Sequence, residues 1–210
     1  MSGVTTSATL STRESLIVAA ERLFAERGIG EVSLREVGAA AGQRNTSAAK
    51  YHFGDKDSLV LATMEYRMDK INVERLKILA AMQSEGRSSD LRSLLEAFVR
   101  PLAASIRVPG SHYARFLAQL GTYPLYRDFR DSESAVSIRL VRTGLERCLS
   151  DLPPTVVSLR LQMLLHAVVH SLADQEHSRI VRSPADDDVW LEDLIDGVHG
   201  MLTAPVTTKH

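Results

Sequence analysis

From Ser11 onward, apolar residues recur every three or four positions, and no stretch alternates as a half-buried strand does. Ser11 and Glu14 form a capping box that opens a first helix with the stripe Leu16, Ile17, Ala20, Leu23 and Phe24. Gly28 is expected to stop it in the left-handed conformation common past helix ends. A second box, Ser33 with Glu36, opens a second helix, with Val32 and Val37 at the positions of a hydrophobic staple. Gly42 ends it. A short third helix is predicted from about Asn45 to Tyr51. Gly54-Asp55 then caps a long fourth helix reaching about Met82.

After a polar stretch, Glu85 to Ser89, a fifth helix carries the cleanest stripe in the chain: Leu91, Leu94, Leu95, Phe98, Val99, Leu102, Ala103 and Ile106. Pro101 falls inside it and is expected to kink it. A sixth helix runs from Ser111 to Gly121, and a seventh from about Ser132 to Ser150. Pro153-Pro154 opens an eighth, to about His177, and the acids Asp186 to Asp188 suit the start of a ninth. The expected fold is all-α, with about nine helices.

The eighth helix departs from the amphipathic rule: Val156, Val157, Leu159, Leu161, Met163, Leu164, Leu165, Val168, Val169 and Leu172 cover most of its circumference. A helix apolar on most faces is buried on most faces. Together with the ninth it is read as a two-fold dimer interface in a four-helix bundle. The expected contacts are Val157, Leu161, Leu164, Leu165 and Val168, with Trp190, Leu194, Ile195 and Val198 on the ninth helix.

With 210 residues the chain is long enough for a sizeable core. Lys and Arg number 25 against 26 Asp and Glu, so any attraction to nucleic acid must come from local charge. The single Cys148 rules out an internal disulfide framework and suits a reducing compartment; it reads as a small core residue of the seventh helix. No signal-like segment opens the sequence and charges or histidines interrupt the apolar runs, so a cytoplasmic protein with no membrane span is expected.

The segment Ala39 to Leu59, AAAGQRNTSAAKYHFGDKDSL, carries the functional signal. A helix ends in small residues, a polar turn follows, and a short helix presents small hydrogen-bonding side chains at its start and Lys50, Tyr51 and His52 at its end. That is the make-up of a helix whose exposed face enters a DNA groove. Thr46 and Ser47 suit phosphate or base-edge contacts, and Arg44 suits guanine. Asn45 suits a helix cap or adenine. Lys56, in the first turn of the fourth helix, makes a phosphate site with the free N–H groups there. Ser33 and Arg35 are placed to anchor the neighbouring strand.

RESLIVAAERLFAERG, then SLREVGAAAG, then YHFGDKDSLVLA, within residues 11–62, resemble the DNA-binding domain of the TetR family of bacterial transcriptional regulators. The resemblance implies a tail at 1–10, here expected to be disordered, a helix-turn-helix domain at 11–56, and a helical effector-binding and dimerisation domain at 57–205. It also implies an Ω-shaped homodimer whose binding to a palindromic operator is controlled by a small-molecule ligand, repression being the commoner mode. Tyr51 and His52 match positions that touch DNA. Two features depart from the family pattern: the turn holding Gln43-Arg44-Asn45-Thr46 is one residue longer, and Lys50 stands where a tyrosine is usual.

The implied pocket lies among the fifth to eighth helices, where Phe98, Tyr113, Phe116, Gln119, Tyr123, Tyr126 and Phe129 offer aromatic walls and a few polar handles. His166 and His170, four apart, have a spacing that can hold a metal. No cysteine completes the set and HAVVH lacks the glutamate of a metalloprotease motif, so they are read as interface or pocket histidines, and neither a metal nor a cofactor is expected. No convergent acid, base and nucleophile suggests an enzyme. The alternatives, an all-α enzyme or a helical interaction module without DNA binding, leave the polar face of the third helix unexplained.

Overall fold

A computed structural model of the chain describes residues 10–45, 47–121, 123, 135–178 and 184–207. Among these are nine helices and no strand: α1 Thr12–Arg27, α2 Leu34–Ala40, α3 Ala48–Phe53, α4 Lys56–Ser84, α5 Leu91–Ile106, α6 Tyr113–Leu120, α7 Val136–Cys148, α8 Pro154–Ser178 and α9 Pro184–Thr203. The expected tail, Thr46, Tyr126, Phe129 and the start of the predicted seventh helix lie largely or wholly outside the described residues.

Both capping boxes form as expected, Ser11 with Glu14 and Ser33 with Glu36, and Val32 and Val37 are buried at either side of the second. Gly28 ends α1, but with φ 86° and ψ 150° rather than in the left-handed helical well. Its φ still favours glycine. The third helix starts later than predicted. Asn45 turns its side-chain oxygen onto the Ser47 N–H at 2.9 Å, which holds the loop instead of capping the helix.

α4 runs unbroken from the head into the second half of the chain, and the buried apolar residues form one continuous cluster from Leu16 to Leu202. α6 packs on α1 on one side and on α8 on the other. α5 packs on α4, α7 and α9, so closely against α7 that a Cβ on Gly144 would meet Leu94 at 2.7 Å.

Pro101 does not end α5, which continues through it to Ile106. The proline has no N–H, so the carbonyl four residues back, on Ala97, loses its helical donor. Arg75 of α4 takes that place. Its Nε donates to the Ala97 carbonyl at 3.1 Å, and its other nitrogens donate to Phe98 O at 3.4 Å and Ser137 Oγ at 3.0 Å. Arg75 is 1% exposed and forms no ion pair with a described residue. Burial pushes its pKa down to about 10, which leaves it charged at neutral pH. Arg75→Met is therefore expected to cost about 1–3 kcal/mol, the range for stranding a buried acceptor. Pro101→Ala restores the missing N–H. In a denaturation double-mutant cycle, the Arg75→Met cost should shrink by more than about 0.5 kcal/mol when Pro101→Ala is present. Strict additivity would mean that the two residues do not serve the same carbonyl.

α8 is long and apolar enough to cross a membrane by length and composition, with a mean hydropathy of 1.4. Here it packs on α6 and α9, with 33% of its most apolar window buried within this chain. Its Arg160, 9% exposed, donates to the Leu202 and Ala204 carbonyls and so satisfies the C-terminus of α9.

Candidate nucleic-acid interface and effector region

The head is built so that α3 is held from beneath and bare above. Ala49 is fully buried and Phe53 half-buried, with the Arg13 guanidinium 5.1 Å from the Phe53 ring centre. On the open side Lys50, Tyr51 and His52 are exposed; Tyr51 is 87% exposed and meets only the edge of the His52 ring, 5.4 Å away. Arg35, Arg44, Asn45 and Ser47 are also exposed, and neither arginine forms an ion pair with a described residue. Thr46 lies outside the described residues.

Two of the predicted contact residues also have structural duties. Ser33 is exposed but caps α2, accepting from Glu36 N at 3.3 Å while its own N–H donates to the Glu36 carboxylate at 2.9 Å. That backbone bond, then the Ser33 hydroxyl, then Arg27 at 2.8 Å, hold the Glu36 carboxyl down at about 2, so the cap stays ionised across the neutral range. Lys56 is half-buried, and its ammonium donates to the Gly30 carbonyl at 2.8 Å, tying the start of α4 to the loop between α1 and α2. Asp55 caps α4 through the Ser58 N–H at 2.7 Å, which lowers its pKa.

The residues expected to line a pocket divide sharply. Phe98, Tyr113 and Phe116 are at most 4% exposed. Phe116 stacks on Phe24 of α1 with ring centres 5.9 Å apart, and the Tyr113 hydroxyl donates to the Met64 carbonyl of α4 at 3.1 Å. Phe116 and Tyr113 thus bind α6 to the head and to α4, while Phe98 is a core residue of α5. Gln119 is exposed beside Gly28. The Tyr123 hydroxyl donates to Asp57 at 2.7 Å, and that carboxylate raises the phenol pKa to about 12. A cavity of about 430 Å³ lies elsewhere, between the end of α5 and the facing ends of α8 and α9, with Arg107, Ser111, Gln175 and Trp190 in its wall.

The residues expected at the dimer interface divide in the same way. Val157, Leu164, Val168, Ile195 and Val198 are at most 9% exposed within the lone chain, which leaves them almost no surface for a second copy. Leu161, Leu165, Trp190 and Leu194 are half-buried. The apolar residues α8 leaves outside are Leu159, 60% exposed, and Met163, 52% exposed. Cys148 is half-buried, its thiol donating to the Ser89 carbonyl, with burial raising its pKa.

What sequence reading missed is a pair of buried carboxylates that clamp the N-terminus of α6. Glu21 of α1, 1% exposed, accepts from Arg67 of α4 at 2.9 and 3.2 Å and from the His112 N–H at 2.9 Å. Glu176 of α8 accepts from the Arg115 N–H at 3.0 Å, the Ala114 N–H at 3.3 Å and the Ser111 hydroxyl at 2.8 Å. The start of α6 has no cap of its own, so these acids satisfy its free N–H groups and complement its dipole. The signal was present: Glu21 lies in phase with Ile17 and Phe24, and Glu176 with Val169 and Leu172, each an acid on an apolar stripe.

A three-helix head with a bare α3, carried on a helix that runs into an α-helical body, defines a helix-turn-helix transcription regulator. Residues 16–63 match the family model described as bacterial regulatory proteins, tetR family, and residues 96–204 match the model described as tetracyclin repressor-like, C-terminal domain. The chain belongs to the TetR family, a class of dimeric DNA-binding regulators and not of enzymes. It is 28% identical, over 82% of its length and 88% of the relative's, to the HTH-type transcriptional repressor AcnR of Corynebacterium efficiens. Among solved structures it resembles AmtR of Mycobacterium smegmatis, with a TM-score of 0.55 and 19% identity over 92% of this chain and 88% of that one. It also resembles NalD of Pseudomonas aeruginosa, a secondary repressor of a multidrug efflux pump, with a TM-score of 0.56 and 17% identity over 90% and 94%.

Proposed function

We propose that the chain is a cytoplasmic homodimeric repressor that reads a palindromic operator through α3 and leaves it when a small molecule binds the helical body. The observation that carries this reading is Tyr51, a large aromatic 87% exposed at the tip of a helix whose opposite side is buried. That exposure leaves the ring and its hydroxyl free to meet a DNA groove, beside the exposed Lys50 and His52. Residues 11–56 serve as the head and 57–205 as the effector and dimerisation body. Arg44, Asn45, Ser47 and Tyr51 face the bases and nearby phosphates, and the sequence adds Thr46 as a candidate contact. Arg35, Lys50, His52, Lys56 and the Ser33 end of α2 hold the backbone. That AcnR is a repressor supports repression.

The route from ligand to DNA in this reading is α6. Tyr113, Phe116, Gln119 and Tyr123 place it against α1 and α4, and Glu21 and Glu176 tie its start to α1 and α8. A ligand that displaces this wall, or the segment carrying Tyr126 and Phe129, moves the head. The second copy covers the outward face of α8 at Leu159 and Met163, with Leu161, Leu165, Trp190 and Leu194 at its edges. α9 offers close approach at Gly197 and Gly200, where an added Cβ would meet nothing.

Sequences selected from random DNA should contain an inverted repeat, and affinity for the selected site should fall with salt. Residues 1–56 hold seven Lys or Arg against six Asp or Glu, so few phosphates are neutralised. About three per subunit gives a log–log slope of about −5. A slope shallower than about −2 in a gel-shift titration would overturn the phosphate assignments.

A further inference from the structure

His166 and His170 belong to the outward face of α8. With Leu159 and Met163 they follow the spacing four, three, four, which keeps all four side chains on one side of a helix. Both histidines are exposed, and among the described residues neither imidazole has a hydrogen-bond or ion-pair partner; their rings meet each other, with centres 6.4 Å apart at 74°. Two imidazoles one helical turn apart are the donor pair of a chelate, and imidazole suits zinc, copper and nickel.

One chain does not complete such a site, because no group of three His, Cys, Asp or Glu placed to hold a metal occurs among the described residues. The position of the pair supplies the rest. Residue 166 is the midpoint of α8, which runs from 154 to 178. The pair is centred on residue 168, about 3 Å along the helix from that midpoint, and a two-fold axis passing between His166 and His170 sets the pair opposite its own copy. We propose that pairing of α8 across the dimer assembles an intersubunit site for a first-row divalent cation such as Zn²⁺, with His166 and His170 from each copy as the four ligands. This rests on the dimer face given above. The neighbouring Leu159 and Met163 shield one side of such a site from water, and the exposed Asp174, one turn past His170, lies on the other. Metal occupancy would then set how firmly the two heads are held as a pair.

The test uses the untagged full-length protein, stripped of metal, with Co²⁺ as the probe and Zn²⁺ as its competitor. Visible absorption of tetrahedral Co²⁺ should saturate at one ion per two chains and be displaced by Zn²⁺. Sedimentation should show the dimer dissociation constant falling about 100-fold when free Zn²⁺ reaches a hundred times its own dissociation constant. His166→Gln, and separately His170→Gln, should weaken Co²⁺ binding by more than the roughly 10- to 100-fold that losing an outer-shell partner costs. Both should still dimerise through Leu159 and Met163. A dimer that binds no Co²⁺, or binds it one per chain or equally well in both variants, overturns the metal site and leaves the dimer standing. A chain that stays monomeric with and without Zn²⁺ overturns the pairing and the site together.

Discussion

Replacing Tyr51 with alanine is expected to abolish operator binding at working concentrations while leaving the melting curve and the dimer unchanged. The separation of effects follows from the geometry. Tyr51 has 87% of its surface free and touches only the edge of His52, so its removal strands no buried group. α3 is kept in place by Ala49 and Phe53 on the other side. A direct contact to nucleic acid is worth about 1–3 kcal/mol, and a two-fold site counts it twice, so the loss should be about 2–6 kcal/mol, or roughly 30-fold to 10⁴-fold in gel-shift affinity. Lys56→Ala is a poorer probe, because it also removes the 2.8 Å bond to the Gly30 carbonyl that fixes α4 to the head. A Tyr51→Ala protein that binds the selected operator as tightly as the parent would mean that another face of the head reads DNA.

Glu21→Ala is expected to give the largest loss of stability, about 3–5 kcal/mol, the range for breaking a buried ion pair from one side. The carboxylate is 1% exposed and serves two clients. Without it the Arg67 guanidinium, itself 14% exposed, keeps its charge and loses its partner, and the His112 N–H loses its acceptor. Glu21→Gln retains an acceptor but not the charge and should fall between the parent and the alanine variant. Joint replacement of Glu21 and Arg67 by methionine should cost much less than the two single replacements summed, because no buried charge is then stranded. Midpoints of urea unfolding at constant m-value decide it. Because Glu21 binds α1 to the start of α6, the same variant should also weaken the response of DNA binding to ligand.

How much of this was legible in the sequence varies with the distance over which each feature is decided. The starts of α1, α2 and α4 are set by Ser11 with Glu14, Ser33 with Glu36, and Asp55 with Ser58, all pairs three residues apart. Local chemistry of that kind reads directly from the chain, as does the string YHFGDKDSL that marks the family. The start of α3 was misplaced because Asn45 had two local options, helix cap and turn, of similar strength. The aromatic positions of α6 were legible as apolar but not as filled. Only the packing of Phe116 on Phe24 and of Tyr113 on Met64 shows that they join the head to the body.

The sequence by itself determined the helices, their caps, the exposed face of α3 and the family, because each depends on residues within a turn or two of one another. Tertiary structure alone decided which face of a helix apolar on most sides stays outside. It gave Val157, Leu164 and Val168 to the chain's own core and left Leu159, Met163, His166 and His170 outward. It also brought Glu21 to His112, 91 residues away, Glu176 to Arg115, and Arg75 to the carbonyl that Pro101 leaves open. The reason is physical: hydrophobicity records that a residue will be buried but not against what. A buried charge finds its partner wherever the fold brings one, irrespective of distance along the chain.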